Sequence, residues 1–137
     1  MKRKLIVIIL IAAILCGALA YGILAYRDYT LLRDSAFFAD GPIGFAGEDP
    51  PYVHAYRRLR ANPFAVHIFR ALARNGTSAA SAYAIMALRE LDPEYANELI
   101  EEYKIGGQTF ETRAGCLVVT VDMNEFFVLW GLECAEF

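Results

Sequence analysis

The chain has 137 residues, a formal net charge of -3 at pH 7 and 57% hydrophobic residues. This length suits one modest domain, and the acidic balance argues against a nucleic-acid-binding protein, whose surface is normally basic. Two histidines and three cysteines show no recognisable metal-ligand spacing, so we expect neither a metal site nor a cofactor.

Residues 1–26 form the first region, a basic start followed by the uncharged apolar segment Leu5–Tyr26. That segment is long enough for a helix to cross about 30 Å of hydrocarbon. A secretory signal cleaved after Ala20 is the alternative. Since basic residues favour the cytoplasmic side, we expect an inner (cytoplasmic) membrane protein whose C-terminal part faces the periplasm or exterior. Cleavage would make it a secreted protein.

Residues 27–50 form the second region. Its first part, as far as Phe38, is predicted to extend the helix as a juxtamembrane stalk. The glycines and prolines that follow predict a loop. Ile43 and Phe45 lie in this loop, within Gly41–Gly47. We interpret them either as a plug for the helical domain or as a hydrophobic contact with a partner or a lipid surface.

Residues 51–137 form the third region, predicted to be a helical domain. Apolar residues at helical spacing indicate three to four packed antiparallel helices. Asn62-Pro63 and Asp92-Pro93 are typical starts, an N-cap followed by proline. Asn75-Gly76 and Gly106-Gly107 are typical ends.

The C-terminal part predicts a small β-hairpin, which makes the fold class mainly α with a hairpin added. Its strands are predicted at Cys116–Val121 and Phe126–Leu132, with Asp122–Glu125 as the turn. Cys116 and Cys134 then come near the open end of the hairpin. In an oxidising compartment such a pair predicts a disulfide.

The exported part is divided by charge. Tyr52–Arg89 contains six arginines and no acid, whereas Glu90–Phe137 is strongly acidic. Either the two halves compensate each other, or Arg57, Arg58 and Arg60 bind a lipid surface, phosphates or an acidic partner.

An enzymatic alternative is a small envelope hydrolase that uses His54 or His67 with a nearby carboxylate. We find no nucleophile motif beside either histidine, and we name no catalytic residue.

The segment Thr77–Ile100 carries a resemblance. A small-residue helix ends in Ala-Leu-Arg-Glu-Leu, and Asp-Pro and an amphipathic helix follow. This pattern resembles HEAT-like helical repeats over about one repeat, or two with Asn62–Arg74. The resemblance implies antiparallel helix pairs and protein binding. The exported part is also similar to small bacterial exported proteins of uncharacterised function. We therefore expect a non-enzymatic, membrane-tethered protein-interaction module with an envelope protein as its partner.

Overall fold

The computed structural model describes residues 2–43 and 47–131. These residues form six helices and a three-stranded sheet, so the predicted mainly helical fold class is confirmed. The helices are α1 (Lys2–Arg33), α2 (Pro51–Arg60), α3 (Ala65–Asn75), α4 (Ser78–Leu91), α5 (Pro93–Gly106) and α6 (Met123–Leu129). The strands are β1 (Phe37–Ile43), β2 (Thr109–Gly115) and β3 (Leu117–Asp122).

Helix α1 has two parts with different surroundings. Its apolar N-terminal part is exposed throughout, and by length and composition the helix can cross a membrane. Its last turns pack into the domain, where Asp28 and Leu32 are buried. The predicted stalk to Phe38 is wrong, because α1 ends at Arg33 and Phe37 and Phe38 begin β1.

Helices α2 to α5 alternate in direction beside the C-terminal end of α1. Arg58 near the end of α2 bonds to Asp28, one turn before α1 ends. Thr77, after α3, donates its N–H to the carbonyl of Arg33 at 3.0 Å. Helix α2 therefore runs back along α1 and α3 returns. The contacts Arg89–Asn97 and Tyr103–Ser81 show that α4 and α5 are antiparallel.

The helix ends follow the sequence signals in part. Thr77 caps α4 by accepting the N–H of Ala80, and Gly107 ends α5 in the left-handed conformation. Gly76 does not adopt that conformation, contrary to the prediction. A side chain there would meet the Cβ of Ala80 at 2.6 Å, so close packing requires the glycine at this position.

The sheet has the strand order β1-β2-β3, with β1 parallel to β2 and β2 antiparallel to β3. The hairpin exists, and the predicted strand Cys116–Val121 corresponds to β3. The predicted partner strand Phe126–Leu132 is wrong, because β2 is the partner and Phe126 belongs to α6. Thr109 pairs with Asp122 and Ala114 with Leu117. Asp122 is not a turn residue, because its side chain accepts the N–H of Glu125 at 2.8 Å and caps α6.

The core joins this sheet to the helices through aromatic rings. The centre of the Phe38 ring lies 4.5 Å from the centre of the Tyr83 ring on α4 and 5.0 Å from that of the Phe126 ring on α6. Phe126 also packs against Phe110 of β2 at 5.3 Å. Strand β1 is therefore part of the core, although the sequence predicted a loop over most of it.

Candidate functional site

The three arginines predicted to form a binding cluster are all ion-paired. Each contacts a carboxylate from another segment of the chain, and each keeps an exposed side chain. The pairs are Arg57 with Asp49, Arg58 with Asp28, and Arg60 with Glu90. Their charges are therefore compensated locally, and only Arg60 is paired with an acid of the acidic half.

The Arg58–Asp28 pair has the most specific geometry of the three. Nε and Nη2 of Arg58 each lie 2.7 Å from a carboxylate oxygen of Asp28, whose side chain is 9% exposed. This hydrogen bonding raises the pKa of Arg58 above its ordinary value. Two parallel charge-assisted bonds fix distance and orientation together. The pair therefore joins the end of α1 to α2.

In the part of the chain that the structure describes, neither histidine is paired with an acid that could make it a catalytic base. His54 on α2 and His67 on α3 are both exposed. Within residues 2–43 and 47–131, neither makes an ion pair or a side-chain hydrogen bond with an acid. Those same ranges contain no group of three His, Cys, Asp or Glu side chains that could hold a metal.

The loop and cysteine predictions fall partly outside the described residues. Ile43 is the last residue of β1, and its backbone pairs with Gly115. Phe45 lies outside the described residues. Cys116 is exposed at the turn between β2 and β3, and Cys134 again lies outside. The hairpin's observed register places Cys116 at its closed end rather than its open end.

A polar cluster lies beside the start of β1. The ring of Tyr52 meets that of Phe37 edge-on at 5.0 Å, and the guanidinium of Arg113 lies 3.7 Å from the centre of the Phe37 ring. Burial raises the pKa of Tyr52 to about 12, and the charge of Arg113 opposes that shift. The Tyr52 hydroxyl has no hydrogen-bond partner in the described part of the chain.

The outer edge of β1 is closed by one side chain. The hydroxyl of Tyr83 accepts the N–H of Ala39 at 2.8 Å and donates to the carbonyl of Ala39 at 2.7 Å. Since N–H and C=O of one residue point to the same side of a strand, both bonds lie on the side away from β2. Phe38 and Ala39 are buried there. This edge cannot accept another strand at Ala39.

The outer edge of β3 has no comparable cover among residues 2–43 and 47–131. In those ranges β3 pairs only with β2, and Leu117, Val118 and Val119 are 71%, 55% and 51% exposed. Leu117 and Val119 share a face with buried Val121, because side chains alternate along a strand. That face is therefore core where the helices cover it and open where the hairpin extends past them.

Helix α6 adds apolar surface near the same end of the chain. It buries Met123, Phe126 and Phe127 but leaves Val128 and Leu129 exposed. Sequence reasoning missed both surfaces. The unbroken run Leu117–Val119 is typical of a strand buried on both faces, and the signal Asp122-x-x-Glu125 for a helix start was interpreted as a turn.

Comparisons with known proteins add no relative. No protein-family model, no curated protein and no solved structure matches this chain. The resemblance to HEAT-like repeats therefore stays a prediction.

Proposed function

We propose that this protein is a non-enzymatic, membrane-tethered interaction module of the cell envelope. In this proposal α1 is the anchor and the basic residues before Leu5 stay in the cytoplasm. The remainder then faces the periplasm or exterior, where it binds an extended segment of another envelope protein. The apolar, exposed surface of α1 supports the tether.

The observation that carries the interaction is the exposed edge strand β3. Edge strands of soluble domains are normally blunted by charges, proline or a covering segment, because an open edge pairs with other chains. Four residues of β3 are exposed, and three of them, Leu117, Val118 and Val119, are aliphatic. An apolar open edge of this kind fits a surface used for binding.

The chemistry of this edge specifies the kind of partner. A segment that adds as a strand makes main-chain hydrogen bonds, while alternate side chains enter pockets or pack on the sheet face. Here the face beside Leu117 and Val119 continues the apolar row that begins at Val121. We therefore expect the bound segment to be extended, with apolar residues at every second position.

Site-specific photo-crosslinking in native membranes tests this proposal. The full chain carries a photoreactive amino acid at Val119, and a matched chain carries it at Ile105, an apolar residue on α5 that is 89% exposed. We expect one defined adduct with a second envelope protein from position 119 and none from position 105.

A second variant checks that the adduct reports strand pairing. The photoreactive group is moved to Thr120, and Val119→Asp is added to place a charge on the apolar row. We expect the adduct to be lost. An adduct that persists, equal labelling from positions 105 and 119, or an adduct only with a second copy of the chain each contradicts the proposal.

A further inference from the structure

The position along α1 at which a segment packs gives the height of that segment relative to the membrane. With Leu5–Tyr26 in the bilayer, Arg27 is the first charge outside it. Each helical residue adds about 1.5 Å, so Tyr21–Ala25 lie within roughly two turns of that boundary. Any segment that packs beside Tyr21–Ala25 is then at the depth of the headgroups and upper acyl chains.

The corner between α2 and α3 packs at this depth. Leu59, Ala61 and Asn62 form one side of a shallow groove. Its other side is lined by Tyr21, Leu24 and Ala25 of α1. Above the groove, the Arg58–Asp28 pair fixes α2 against α1.

The far end of α3 gives an independent measure of the same depth. Thr77 follows α3 and bonds to the carbonyls of Arg33 and Ser35, at the top of α1. Helix α3 has 11 residues, or about 16 Å of length. Measured down α1 from Arg33, about 16 Å reaches the region of Tyr21–Ala25. Two sets of contacts therefore place the corner at one height.

The residues of the corner suit a lipid interface. The ring of Phe64 is 64% exposed, and Ala61 and Pro63 are also exposed. Leu91, at the lower end of α4, is 37% exposed, and the neighbouring Glu90 contacts Arg60 at the end of α2. Tyrosine concentrates at the boundary between water and lipid, which suits Tyr21 and Tyr26 of α1. Phenylalanine and leucine are typical of the membrane-facing side of segments that lie at that boundary.

We infer that the α2–α3 corner, Ala61–Phe64, is a second membrane contact, with the ring of Phe64 inserted among the lipid headgroups. This inference rests on the tether of the proposed function. The end of the domain that carries Phe64 and Leu91 is then the end that faces the membrane. It differs from headgroup binding by Arg57, Arg58 and Arg60, because the contact is made by an apolar ring and those arginines are ion-paired.

Fluorescence quenching in vesicles tests the contact. The full chain, with its native cysteines replaced, is reconstituted in phosphatidylcholine–phosphatidylglycerol vesicles and labelled with an environment-sensitive dye at Phe64→Cys. Ile105→Cys is the matched control, because it lies at the end of α5 that is far from the α2–α3 corner. Leu15→Cys, in the middle of α1, is the reference for the bilayer. Nitroxide-labelled lipids quench from the membrane and iodide quenches from water.

We expect several-fold stronger nitroxide quenching at position 64 than at position 105, with the reverse order for iodide. If position 64 behaves like position 105 while position 15 is quenched by nitroxide lipids alone, the tether stands and the corner contact is overturned. If position 15 is also quenched by iodide from water, the tether itself fails and this inference fails with it.

Discussion

The two outer edges of the sheet differ, since the β1 edge is covered and the β3 edge is exposed. On β1, Phe38 and Ala39 are buried and the Tyr83 hydroxyl occupies both backbone groups of Ala39. On β3, three aliphatic residues are exposed and only β2 is paired with the strand in the described ranges. One edge has been converted into core by a side chain from a helix. The fold therefore has a means of closing a strand edge, and residues 2–43 and 47–131 do not apply it at β3.

The largest expected difference between the edges concerns ring burial. Phe38→Ala removes a fully buried ring that contacts Tyr83, Phe126 and Trp130, and we expect a loss of about 3–5 kcal/mol in the free energy of unfolding. Val118→Ala on β3 should cost less than about 0.5 kcal/mol, because the side chain is exposed. Urea unfolding of the full chain in detergent, followed by circular dichroism, measures both.

Equal losses for Phe38→Ala and Val118→Ala would show that β3 is as much a part of the core as β1. The contrast between the two edges would then be wrong.

A smaller effect is expected from the hydroxyl that closes β1. Tyr83→Phe keeps the ring but leaves the N–H and C=O of Ala39 without that partner. Unpaired buried polar groups cost about 1–3 kcal/mol. We expect that loss in stability, together with faster hydrogen exchange of the Ala39 amide measured by NMR. Unchanged exchange at Ala39, with exchange in β3 as the internal control, would contradict the closing role of Tyr83.

A pH dependence of stability is expected beside the start of β1. Burial raises the pKa of Tyr52 from 10.0 to about 12 in the folded state. Between these values the unfolded chain loses the proton first, so this contribution to stability is present below pH 10.0 and is lost as pH rises to about 12. We expect the stability of Tyr52→Phe to fall less over that range than that of the unchanged chain.

The comparison of Tyr52→Phe with the unchanged chain is needed because other tyrosines titrate in the same range. Parallel stability curves for the two proteins, measured by urea unfolding, would show that Tyr52 ionises as freely when folded as when unfolded.

Helices α2 to α5 could be predicted from the sequence, whereas α6 was missed and the strand pairing could not be predicted. Helices α2 to α5 follow from apolar spacing and local caps such as Thr77, which act within one or two turns. Strand β1 contains Asp40-Gly41-Pro42 and forms only because it pairs with β2, more than sixty residues later in the chain. No local pattern carries that information.

The candidate surfaces also depend on contacts between distant segments, which no local sequence pattern reveals. The aliphatic run Leu117–Val119 was recognised as a strand, but its exposure depends on where the helices end above the hairpin. The pairing of Asp28 with Arg58 depends on how α2 runs back along α1. Ile43 and Phe45 were selected for their apolar side chains in a loop, whereas Ile43 ends a strand.

The parallel pairing of β1 with β2 also sets the order in which this protein can fold. Phe37 pairs with Glu111, so an early segment of the chain waits for a late one. Helices α2 to α5 can form hairpins with their neighbours as they are synthesised, but Phe38 has no sheet until β2 arrives. Contacts this distant in sequence slow folding. If α1 is the anchor, the sheet is therefore completed only after the chain as far as β2 has crossed the membrane.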